Sequence, residues 1–303
     1  MHLAEGVLPV GQAIGWTAAA APVVAWSIRG AQADNAPPPI AMAGVTSILF
    51  AATLLPLPVP ALGATSHICL TPVLALLVGV RNIIWPTFFV LLLQAVFFAH
   101  GGLTTLGVNT LTLGVLGPLT AVGIWSLLRK FSAANSLGLA FACGAGDLSV
   151  YLADALVLAL GLSEVVAPST TFVGVLLGFA PIQIPLSILE AAVSIGIVRT
   201  LATRRPDLLP DSLCSIGKVP VRMKSVMLLF VVTASSSACH YEGIDGTVFG
   251  ATAEEAGLPP TPSLIDLSQG EVGLAMTILI LFGLGFVAGR GWERLFGRGP
   301  HAL

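Results

Sequence analysis

Residues 106–130, LGVNTLTLGVLGPLTAVGIWSLLRK, carry no charged residue until they close on Arg129 and Lys130. At a rise of about 1.5 Å per residue, a helix from Leu106 to Leu128 crosses the roughly 30 Å hydrocarbon core of a bilayer. The run is continuously apolar and does not alternate with period two, so it reads as a transmembrane helix and not as a barrel strand. Its glycines and Pro118 would weaken a helix in water, but neighbouring helices satisfy the freed backbone groups in lipid. The basic pair at its end marks the cytoplasmic side, where Lys and Arg are retained.

The same pattern recurs along the chain. Of the 303 residues 55% are hydrophobic and 9% charged, against roughly 25% charged in a soluble domain, so this is an integral membrane protein. Segment 11–28 ends at Arg29, 40–58 returns, 68–80 reaches Arg81 and 83–99 returns. The stretch 106–128 ends at Arg129 and Lys130, 136–160 returns, and 171–198 ends at Arg199, Arg204 and Arg205. After a cytoplasmic linker over 201–224, segment 225–239 crosses out and 271–289 crosses back to Arg290, Arg294 and Arg298. All thirteen basic residues then lie on one side. The expectation is an all-α protein of about nine transmembrane helices, N-terminus outside and C-terminus inside. A net charge of −2 with no basic run offers nothing to nucleic acid. No Lys or Arg precedes the first apolar run, so the Ala31-Gln32-Ala33 sequence is not expected to be a signal-cleavage site, and Met1 should be retained because methionine removal requires a small second residue and His2 is large. Cys69, Cys143, Cys214 and Cys239 form no CxxC pair and read as small buried apolar residues.

This threading gathers the first nine residues, MHLAEGVLP, the 59–67 loop, His100-Gly101-Gly102 and the 240–270 loop on the outer side. A terminal amine, the His2 amide and the His2 imidazole close fused chelate rings in one plane, and the imidazole of His67 can take the fourth position. Four nitrogens in a plane suit Ni(II) or Cu(II), and Co(II) uses related sets, whereas Mg(II) and Ca(II) favour oxygen. The amine must lose its proton, so affinity should rise with pH. Chemistry alone leaves open that His2 is incidental. Segment 68–80 is short and holds Pro72, so a broken helix is expected after His67, with His67 at the rim or floor of a cavity. The outer loop carries Glu242, Asp245, Glu254, Glu255, Asp266 and Glu271 with no Lys or Arg. It can attract cations, or it can simply reflect retention of basic residues inside.

Residues 1–9 resemble the opening of the nickel/cobalt substrate-capture proteins of energy-coupling-factor (ECF) transporters, the CbiM/NikM family. Gly63-Ala64-Thr65-Ser66-His67 and Ala99-His100-Gly101-Gly102-Leu103-Thr104-Thr105-Leu106-Gly107-Val108-Asn109-Thr110 resemble two further motifs of that family, in the same order, over residues 1–200. The resemblance implies that the Met1 amine, the His2 amide and imidazole, and His67 hold the ion. Ser66, His100 and Asn109 would support the pocket or lie on the ion's way in. It also implies a seven-helix core, with Ni2+ or Co2+ as transported substrate. The partners implied are a CbiQ/NikQ-like coupling subunit and CbiO/NikO-like ATPases, which alone would use ATP, in a prokaryotic cell membrane. Ile68-Cys69-Leu70-Thr71-Pro72 departs from the glycine-rich continuation of cobalt members, which tips the expected metal slightly to nickel. Residues 225–303 resemble a fused CbiN/NikN-type subunit or the related PDGLE-type C-terminal extension, through Ser235-Ser236-Ser237, Gly243-Ile244-Asp245-Gly246 and Ala253-Glu254-Glu255-Ala256-Gly257.

Asp147, Asp154 and Glu190 fall within spans, where an ionisable group is a functional candidate by default. They line a metal path or pair with Thr, Tyr151 or Gln183 across helices. Gly15, Ala19 and the run Ala18 to Ala21 with Ala25 put small residues at helical spacing on the first span, for packing within the chain or against a partner. No Gly-x-x-x-x-Gly-Lys-Ser/Thr sequence is present, so ATPases must come from other chains. A membrane metalloenzyme and a metal-free accessory protein are the alternatives. The first lacks a His-Glu-x-x-His sequence and an open coordination position for water.

Overall fold

The computed structural model describes residues 2–34, 36–54, 57–59, 64–218, 242–243, 245–261 and 283. Each of the seven spans expected before residue 200 contains a helix: α1 Val10–Ala31, α2 Pro39–Leu54, α3 Thr71–Val78, α4 Val80–Phe98, α5 Leu106–Lys130, α6 Ser136–Gly161 and α7 Pro168–Arg204. Four of them, α4 to α7, are long and apolar enough to cross a membrane. The expected pair at 225–239 and 271–289 lies outside the described residues, apart from Gly283.

Boundaries moved where proline and glycine act. The second span was expected to run to residue 58, but the helix stops at Leu54 and Leu57–Val59 is a strand, β1. The run Pro56-Leu57-Pro58-Val59-Pro60 removes the N–H donors that a helix needs. β1 pairs antiparallel with β2, Ala64–Ser66, which ends immediately before His67. α3 has 8 residues, a rise of about 12 Å, so it reaches part-way into the bundle. It starts from Leu70 at φ 56° with Pro72 in its first turn, and Gly79 alone separates it from α4. Part of the linker expected over 201–224 is also helical: α7 continues to Arg204, and 3-10 turns at Pro206–Leu208 and Asp211–Lys218 pack back on it.

Burial separates the helix faces. On α6, Leu152, Leu156 and Leu160 are exposed at a spacing of four, while Asp147 and Asp154 are fully buried on the other side. On α7, Val173, Leu177, Ile184 and Ile188 form a similar outer stripe, and Gln183 and Glu190 point inward. A stripe of large apolar residues over a polar interior is the arrangement of a lipid-bathed helix, where ionisable groups face the bundle. α6 and α7 pack along each other, and Ser187 Oγ donates to the Gly144 carbonyl at 3.0 Å between them. At Gly146 the backbones close up: a Cβ there would stand 2.9 Å from the Gly117 carbonyl and 3.0 Å from Pro72. Glycine is what lets α3, α5 and α6 meet at one point.

α1 buries Ala13, Ala20, Val24, Ser27 and Gly30 against α4 and α5. Its other small residues, Gly15, Ala18, Ala19, Ala21 and Ala25, remain exposed. Packing within the described residues therefore does not use them. Arg81 donates to the Trp26 carbonyl at the base of α1, and Arg199 donates to Ser136 Oγ at the start of α6. Arg81 opens α4 and His100 follows its end; α5 starts after His100 and ends at Arg129 and Lys130. The antiparallel path thus separates the basic residues from the histidines by the length of the bundle.

Candidate metal centre

The N-terminal segment folds into the bundle as a plug. Leu3, Val7 and Leu8 are buried, in a cluster with Val108, Tyr151, Phe179 and Phe249. Burial of three such side chains contributes gross stabilisation of about 5 to 9 kcal/mol. Polar groups fix the register. Asn109 grips both backbone polar groups of Leu3: Leu3 N–H donates to Oδ1 at 3.0 Å, and Nδ2 donates to the Leu3 carbonyl at 3.1 Å. Thr105 Oγ1 donates to the same carbonyl at 2.6 Å. Buried Glu5 accepts from the backbone N–H of Leu103 at 2.5 Å and of Thr104 at 3.2 Å. Gly102 is required here, since a Cβ would stand 2.7 Å from both Cα and N of Glu5.

This docking brings His2, His67 and His100 together. One ring nitrogen of each lies within 4.8 Å of the others; His2 and His67 are buried and His100 is half-buried. The His2 and His67 rings stack at 4.8 Å between centroids, and His2 Nδ1 lies 2.9 Å from His100 Nε2. Burial pushes the His2 and His67 imidazoles well below the usual histidine value, and the neighbouring His100 adds to this. The shift favours the neutral form, which is the one that ligates metals.

Backbone strain sits at the same place. Leu70, Ala99 and Ser132 are the described non-glycine residues with positive φ. Leu70 follows His67 by three residues and Ala99, at φ 46°, directly precedes His100. Left-handed conformations of such residues cost about 1 kcal/mol or more and persist where their surroundings enforce them. At Ala99 the enforcing contact is the α4 C-terminus, where the His100 N–H donates to the Gln94 carbonyl at 3.1 Å. At Leu70 it is Glu190 of α7, which accepts from the Cys69 N–H at 2.8 Å and the Leu70 N–H at 3.0 Å. α5 carries a π turn at Thr112–Leu116, just beyond Asn109; such insertions are frequent at functional sites.

Of the residues expected at the site, His2, His67 and His100 meet directly, Asn109 holds the plug, and Ser66 is buried at the end of β2. Met1 lies outside the described residues. Asp147 and Glu190 stand together with Cys69 in a second group, and Asp147 pairs with Gln183 at 2.8 Å. Asp154 is buried on α6 but is not part of either group. Glu5 and Thr105 were not expected; a carboxylate among apolar residues at a chain end was the signal for Glu5. Part of the acidic loop also reaches the centre. Its strand β3, Glu242–Gly243, adds parallel to β2, the Thr261 N–H donates to the Glu5 carbonyl at 3.0 Å, and Phe249 packs on Phe179 at 4.5 Å between ring centroids.

Residues 2–208 match the family described as the cobalt uptake substrate-specific transmembrane region, CbiM. The cobalt transport protein CbiM of Geobacter sulfurreducens is 35% identical, over 97% of this chain and 90% of its own. That of Sorangium cellulosum is 40% identical, over 69% of this chain and 94% of its own. The fold is that of a crystallised transition metal transporter, with TM-score 0.58 at 19% identity, over 69% of this chain and 96% of the other. A truncated form of a transition metal transporter gives TM-score 0.56 at 20% identity, over 67% of this chain and 98% of the other. A multi-pass helical bundle with its N-terminal segment folded in, matched over this length, belongs to the CbiM family of cobalt uptake substrate-specific transmembrane components.

Proposed function

We propose that this chain captures a divalent cobalt or nickel ion at the outer face of a prokaryotic cell membrane and hands it inward when partner ATPases act. The carrying observation is the buried histidine triad, with ring nitrogens within 4.8 Å, assembled by a plug that starts at the chain's own N-terminus. In this reading the Met1 amine, the His2 amide nitrogen and Nδ1, and one nitrogen of His67 bind the ion. An arriving ion exchanges the His2 Nδ1 to His100 Nε2 contact for a metal bond, so His100 keeps the ligand oriented until then. A planar nitrogen set favours nickel, whereas the names of the relatives favour cobalt.

The chain lacks a phosphate-binding loop sequence, so a CbiQ/NikQ-like coupling subunit and CbiO/NikO-like ATPases supply the energy. The exposed small residues of α1, from Gly15 to Ala25, offer a surface on which a membrane partner can approach closely.

The test uses purified protein with its native terminus, beside a version extended by one N-terminal glycine and the variants His2→Ala and His67→Ala. Native protein should bind one Ni2+ or Co2+ at the histidines with high affinity, and all three altered forms should lose at least a hundredfold. Unchanged affinity in the extended protein overturns the amine ligand. Unchanged affinity in His2→Ala overturns the capture site. Competition between the two ions on native protein gives the preference.

A further inference from the structure

Directly after His67 the chain enters a second group of ligand-type side chains. Cys69 Sγ, a carboxylate oxygen of Asp147 and one of Glu190 lie within 4.8 Å of one another, and all three residues are buried. We propose that Cys69, Asp147 and Glu190 form an inner site for a divalent transition-metal ion, which receives cargo passed on from the histidines. The direction of traffic rests on the capture reading; the site itself rests on its own geometry.

Part of the group has a structural explanation. Glu190 straps the Cys69 and Leu70 amides and so holds the strained start of α3. That explanation does not cover Asp147. Gln183 satisfies Oδ2, and Oδ1 is buried with no hydrogen-bond partner. Nor does it cover the charge. Among the described residues no Lys or Arg forms an ion pair with Asp147 or Glu190; the salt bridge there is Arg205 with Asp207. Two buried carboxylates side by side are disfavoured by several kcal/mol each if both are ionised, and one divalent cation neutralises both.

The sulfur narrows the ion. Mg2+ and Ca2+ favour all-oxygen sites, whereas a mixed sulfur and carboxylate set suits cobalt-like and zinc-like ions. With metal–oxygen and metal–sulfur distances near 2.1 and 2.3 Å, ligand atoms around a tetrahedral ion stand roughly 3.5 Å apart. The group therefore closes on an ion through side-chain movements of about an ångström. Ile68 alone separates His67 from Cys69 in sequence, so a small movement of this segment serves both sites. α3, α6 and α7 each bear on the group, through the segment leading into α3, Asp147 and Glu190.

Full-length protein with its native terminus is titrated with Co2+, reading bound equivalents and the near-ultraviolet charge-transfer band that a sulfur ligand gives cobalt. Wild type should bind two equivalents and show the band. His2→Ala should keep the band and lose one equivalent. Cys69→Ser should lose the band and keep the visible spectrum of the histidine site, which also reports that the variant is folded. Asp147→Asn should weaken the band-forming step at least tenfold with the same spectrum retained. Absence of the band in saturated wild type, or its persistence in Cys69→Ser, overturns the inner site and leaves the capture reading intact. Two equivalents retained in His2→Ala overturns capture at the histidines and leaves the inner site standing.

Discussion

Asn109 shows how one residue sets a site it does not line. Its carboxamide offers an acceptor and a donor side by side, and it turns both on Leu3. Leu3 in turn fixes His2, one residue away, against His67 and His100. An Asn109→Ala variant leaves the Leu3 N–H buried without its acceptor, at a cost of about 1 to 3 kcal/mol to the docked plug. Metal affinity should fall roughly ten- to a hundredfold, since each 1.4 kcal/mol is tenfold, while helix content stays unchanged. Asn109→Asp keeps the acceptor for Leu3 N–H and should lose less. Calorimetric titration of both variants checks this, and wild-type affinity in Asn109→Ala would show that the clamp is idle.

At the scale of elements, the site lies where regular structure breaks. His67 sits between β2 and the short α3, and His100 between α4 and α5. Breaks of this kind survive in lipid only where protein covers them, and here the plug and α7 are the cover. Gly102 is the tightest point of that cover. Gly102→Ala places a methyl against the Glu5 backbone, so the plug must lift; at least tenfold weaker metal binding with an intact bundle is expected, and a wild-type isotherm would contradict it. The helices were legible in the sequence because apolar runs and basic ends are local signals. The break after His67 was legible from Pro72 and the short run around it. The grip of Glu190 on Cys69 and Leu70 was not, because it joins positions 120 and more apart and no local pattern records it. The same holds for Glu5 with Leu103 and Thr104. His100 was placed near the site from its motif, but its contact with His2 depends on the positive φ of Ala99, which the residue type does not announce.

On the scale of the whole molecule, the chain joins a core to a C-terminal region that reaches back to the core's candidate metal centre. The Sorangium relative corresponds to 69% of this chain across 94% of its own length, so a comparable core exists as a protein in its own right. The Geobacter relative corresponds to 97% of this chain and includes the rest. In the described residues the C-terminal region touches the candidate centre through β3 on β2 before His67, through Thr261 on Glu5, and through Phe249, which packs with the plug's apolar cluster. The first two are backbone contacts to the segments that carry or hold the proposed ligands. A chain ending at Lys218 should therefore fold and bind one ion at the histidines with affinity within about tenfold of the full chain. Metal uptake with the same coupling and ATPase subunits should fall at least fivefold, because loading and release are no longer assisted. Equal uptake by the two chains at equal membrane levels would reduce the C-terminal region to an appendage. Loss of metal binding in the short chain would instead make the region part of the capture site itself.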